Sequence, residues 1–186
     1  MKFSVPHAAL VLAAGIAAAA FLQNKGGGFP FGARTAPALA YTDTRGGSHT
    51  LASPSKPVVV VLWVAPCAYC DRALSVLDRV RGLYREEDLD IVGFYLNQAD
   101  SAAIDRIASD EGHRILMAQG QPTGEYARAL TSGFQFRGPG RDIYVVGPDG
   151  RYTAVDTSDL ATPNFDILQK VRSLMLNKYG LKERAG

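Results

Sequence analysis

The chain has 186 residues, enough for one compact domain and an export segment. Hydrophobic residues make up 47% and charged residues 20%, which supplies a core and excludes a disordered polymer. The formal net charge of +2 comes without any Lys/Arg-rich run, which argues against a nucleic-acid partner.

Lys2 is followed by an uncharged run from Ala8 to Leu22. One cation ahead of a short apolar stretch is the pattern of a secretory signal. The run is shorter than the ~20 residues of a spanning helix. Ala17-Ala18-Ala19-Ala20 offers small residues for cleavage; counted from Val5, residues 5–22 make a marginal membrane tether. A buried Ala-rich core helix is the alternative. The expected organisation is a signal peptide or N-terminal membrane anchor over 1–22, a flexible linker over 23–35, one domain over 36–180 and a tail over 181–186. The linker holds Gly26-Gly27-Gly28 and Phe29-Pro30-Phe31-Gly32, a composition that lets a domain stand off a membrane. Export implies a periplasmic or other extracytoplasmic location, where a cysteine pair stays oxidised unless something reduces it.

Within the domain, Leu39–Thr42 and Ser48–Leu51 are predicted strands around the turn signal Arg45-Gly46-Gly47. Val58 to Trp63 is a continuous apolar, mostly β-branched run, expected as a strand buried on both faces. Ala73, Val76, Leu77, Val80, Leu83 and Tyr84 then recur at helical spacing, with Arg72, Arg79 and Arg85 off the stripe. Leu89–Leu96 reads as a strand. Ser101–Glu111 reads as a helix capped by Asp100 and stopped by Gly112, and Ile115–Met117 as a small strand. Gly124–Leu130 is predicted helical. Ile143–Val146 and Tyr152–Val155 flank the hairpin turn Gly147-Pro148-Asp149-Gly150. The last helix starts at Thr162-Pro163 and ends at Gly180. Strands alternating with helices imply an α/β layer fold, and the late hairpin adds antiparallel strands.

The two cysteines, Cys67 and Cys70, lie in Val64-Ala65-Pro66-Cys67-Ala68-Tyr69-Cys70, between the buried strand and the first long helix. A thiol at a helix N-terminus faces unpaired N–H groups and the positive end of the dipole, which favour the attacking thiolate. Cys70 stands one helical turn on, within reach of a disulfide. Four other readings compete. A structural staple over so short a loop contributes roughly 2 kcal/mol, and a domain with this core has little need of it. Zinc needs four ligands, and only His7, His49 and His113 supplement the thiols. A copper-binding metallochaperone needs the two thiols and one histidine, for which His113 is the candidate. A peroxidase of the peroxiredoxin type carries Thr or Ser three residues before its reactive cysteine, where this chain has Val64.

Ala36-Pro37-Ala38-Leu39, Thr42-Asp43-Thr44-Arg45-Gly46, Lys56-Pro57-Val58-Val59 and Leu62-Trp63-Val64-Ala65-Pro66-Cys67-Ala68-Tyr69-Cys70 together resemble the opening of TlpA/ResA-type thioredoxin-like proteins. Gly124-Glu125-Tyr126-Ala127-Arg128-Ala129 and Ile143 to Gly150 continue the likeness over nearly all of residues 36–180. The resemblance implies a thioredoxin-like fold: a central mixed sheet flanked by helices, with an N-terminal strand pair and a helical insertion. It implies an exported thiol–disulfide oxidoreductase without cofactor or metal, acting on protein thiols and disulfides and served by a redox partner. Cys67 matches the family's nucleophile and Cys70 its resolving cysteine. By position, the resemblance implies that Pro66, Tyr69 and Pro139 border the substrate. Copper chaperones on this fold tend to space their cysteines one residue wider.

The departures are specific. Pro66 stands where the family usually has Trp, and Val61 where many thioredoxins bury an acid. Pro139 matches the family's cis-proline only if a short insertion separates it from the strand that begins near Asp142; otherwise Gly138-Pro139-Gly140 is a plain turn.

Overall fold

The computed structural model describes residues 34–64, 68–96, 116–119, 124–136, 138, 143–155 and 163–184, and leaves aside the side chains of 68–71, 116, 117, 119 and 163–166. They belong to one compact unit, Ala33–Gly186. Strands β1 (Arg34–Thr35), β2 (Ala40–Asp43), β3 (Ser48–Thr50) and β4 (Val58–Trp63) precede helix α1 (Ala68–Leu83). Strands β5 (Asp90–Tyr95) and β6 (Leu116–Gln119), helix α2 (Gly124–Gly133), strands β7 (Ile143–Val146) and β8 (Arg151–Ala154), and helix α3 (Pro163–Tyr179) follow.

The strands form one mixed sheet in the order β1-β8-β7-β4-β5-β6-β2-β3. β4 pairs in parallel with β5, and β5 with β6; β7 lies antiparallel to β4 on its other side. Strand periodicity then sorts the core. Val59, Val61 and Trp63 of β4 face one cluster with α1 and α3, while Val58, Val60 and Leu62 face a second cluster with Leu130 and Phe134. β7 alternates in step, Ile143 and Val145 against Tyr144 and Val146, because Val59 pairs with Val145 and Val61 with Ile143. Every residue of β4 is buried, as an apolar run covered on both faces must be.

Most expected elements are present with shifted ends. β6 runs on to Gln119, and α2 to Gly133. β8 starts one residue before Tyr152. β1 was not expected. Arg34 and Thr35 lie in the stretch read as linker, yet pair with Tyr152 and Arg151, because hairpin β7–β8 leaves the outer edge of β8 open for them. The expected helix at Ser101–Glu111, the segment 1–33 and Pro139 lie outside the described residues. Among the described residues no helix is long and apolar enough to cross a membrane.

Candidate functional site

The junction after β4 is built by the strand itself. β4 sits between β5 and β7, so its register is fixed on both sides and its C-terminal end is held firmly. Trp63 closes it, 1% exposed, its indole tilted against the Tyr95 ring at 4.9 Å between centroids. The Leu96 N–H donates to the Trp63 carbonyl at 2.7 Å, carrying the parallel ladder past the end of β5. Val64, Tyr95 and Leu96 are half-buried around this end. In open α/β sheets, ligands meet the fold outside the carboxyl ends of parallel strands. Helix α1 opens at Ala68, only four residues after Val64.

The backbone of Tyr69 and Cys70 belongs to the first turn of α1. Their side chains lie outside the described residues, as do Pro66, Cys67 and Pro139. Gly138, just before Pro139, has a φ of +110°, a conformation that favours glycine. Val61 is buried among apolar side chains of the α1–α3 cluster.

A polar cluster occupies the opposite end of the sheet, where β4 and β5 begin. In the β2–β3 turn, Asp43 Oδ1 accepts the N–H groups of Arg45 (2.8 Å) and Gly47 (2.9 Å). Asp43 Oδ2 lies 2.7 Å from His49 Nε2, and the His49 ring stacks on Tyr41. Gly47 must lack a side chain here: a Cβ would stand 2.8 Å from Asp43 Oδ2 and 2.9 Å from His49 Nε2. Arg45 pairs with Glu86 at 3.0 Å, and Lys56 with Asp90 at 2.9 Å. Arg81, 7% exposed, donates to the carbonyls of Leu89, Tyr84 and Arg85 and ties down the chain that leaves α1. Asp43, Arg45, Lys56, Arg81, Glu86 and Asp90 line a cleft of about 100 Å³.

The electrostatics follow from the contacts. Burial pushes the Asp43 carboxyl up, but the His49 hydrogen bond and the Gly47 and Arg45 N–H groups outweigh it and hold it below the usual carboxylate range. Burial lowers Arg81, partly offset by Glu86 and Asp90. Burial, then Asp90 and Asp43, push the Tyr41 phenol far up. The cluster is internally paired and serves as a structural clamp on the hairpin. In the sequence Arg45-Gly46-Gly47 is a turn signal and His49 one of three histidines, with nothing local joining them. The available signal was Asp43 two residues ahead of Arg45 in a Gly-containing turn, the spacing at which an aspartate closes its own turn.

No protein-family model matches the chain, and no curated protein matches it. Solved structures do. The thioredoxin domain of a thiol-disulfide oxidoreductase from Bacteroides vulgatus superposes with a TM-score of 0.60 at 18% identity, over 76% of this chain and 96% of that one. A secreted disulfide oxidoreductase from Mycobacterium tuberculosis gives 0.54 at 17% identity, over 74% and 96%. Copper-bound ScoI from Bradyrhizobium japonicum gives 0.54 at 17% identity, over 75% and 99%. At these identities the likeness is one of architecture: the chain has the thioredoxin-like fold.

Proposed function

We propose that the protein is an exported thiol–disulfide oxidoreductase that exchanges disulfides with envelope proteins through Cys67 and Cys70. The observation that carries this reading is the chain path: a C-x-x-C spans the step from the held end of β4 into α1, with Cys67 immediately before the first helical residue, Ala68. A thiolate there is favoured by the helix N-terminus. The Cys67 thiolate attacks a client disulfide, a mixed disulfide forms, and one client thiolate leaves. The Cys70 thiolate then attacks Cys67 Sγ, releasing the second client thiolate and leaving a Cys67–Cys70 disulfide. The client gains two electrons, and a reduced redox partner restores the pair. Run backwards, the same steps oxidise a client. Pro66, Tyr69 and Pro139 border the pair in this reading and receive the client backbone. The uncharged run after Lys2 supports export, with residues 1–22 as cleaved signal or retained tether.

Replacing Cys70 by Ala tests it. Attack survives and release is lost, so mixed disulfides with clients accumulate and disappear on reduction; Cys67→Ala traps nothing. If neither variant traps a client and the wild type reduces no protein disulfide, the proposal fails. The likeness to copper-bound ScoI favours a second reading, a copper metallochaperone on the same fold. It predicts instead that either substitution abolishes copper binding and that the wild type exchanges no disulfides.

A further inference from the structure

We draw no further inference here: the strongest candidate, the polar cleft where β4 and β5 begin, carries nothing because its acids Asp43, Glu86 and Asp90 balance its cations Arg45, Lys56 and Arg81 and each is already engaged within the fold, so nothing in it selects a ligand.

Discussion

The Asp43 carboxylate and the His49 imidazole stand 2.7 Å apart across the β2–β3 hairpin, with the Asp43 side chain only 5% exposed. This contact joins two strands of the sheet margin, because among the described strands β3 pairs only with β2. Removing the imidazole strips a buried carboxylate of a partner. His49→Ala should destabilise the domain by about 1–3 kcal/mol in urea unfolding. A cost no larger than that of an exposed surface substitution would mean that the pair contributes nothing.

The same carboxylate sets an acid limit. Its folded pKa lies below its unfolded value of about 3.9, so the native state prefers the ionised form. The stabilisation is complete above the unfolded pKa and is lost as pH falls through the folded one. Asp43→Asn should therefore cost most near neutrality, and the gap between variant and wild type should close below about pH 4. A gap that stays constant down to pH 2 would show that the titration of Asp43 is not linked to folding.

Gly150 and Gly46 make a matched comparison of steric and conformational cost. Both have positive φ, +70° and +84°. A Cβ on Gly150 would stand 2.0 Å from the Ala52 carbonyl oxygen, whereas one on Gly46 meets nothing within 4 Å. Gly150→Ala should cost about 2–4 kcal/mol, adding backbone displacement to strain, and Gly46→Ala only about 1 kcal/mol. Thermal melts of the two variants decide this; equal shifts would remove the close approach as the cause.

Trp63 separates volume from hydrogen bonding. Among the described residues its buried Nε1 has no hydrogen-bond partner, so there the indole contributes packing while its N–H carries a desolvation cost. Trp63→Phe should lose no more than about 1.5 kcal/mol, since relief of the orphan donor offsets lost volume. Trp63→Ala should lose about 3–5 kcal/mol. If the Phe variant is as unstable as the Ala variant, the N–H has a partner in solution.

Alkylation kinetics address the proposed nucleophile directly. In the reduced protein, Cys67 should be modified faster than Cys70 and should keep reacting below the pH at which an ordinary thiol falls silent, because it precedes the first turn of α1. Peptide mapping after a short exposure to iodoacetamide assigns each thiol. Preferential modification of Cys70 would reverse the two roles.

Local pattern determined much of this molecule. The run Val58–Trp63 announced a strand covered on both faces, the stripe from Ala73 to Tyr84 announced the helix after it, and Gly147-Pro148-Asp149-Gly150 announced the hairpin. These are short-range signals, written in the period of side-chain burial and in turn chemistry, so they can be read without a partner in view. The cysteine pair was legible in the same way, as a spacing at a strand-to-helix step.

The pairing of distant segments was decided only by the tertiary structure. Nothing in Thr42 or Asp43 says that β2 lies beside β6, where they meet Gln119 and Ala118. Nothing in Arg34-Thr35 marks a strand until the free edge of β8 is present to receive it. Arg45 and Glu86, 41 positions apart, meet because β4, α1 and β5 bring both to one end of the sheet. Such contacts depend on how whole elements bury their faces against each other, a sum over many residues that no local window contains.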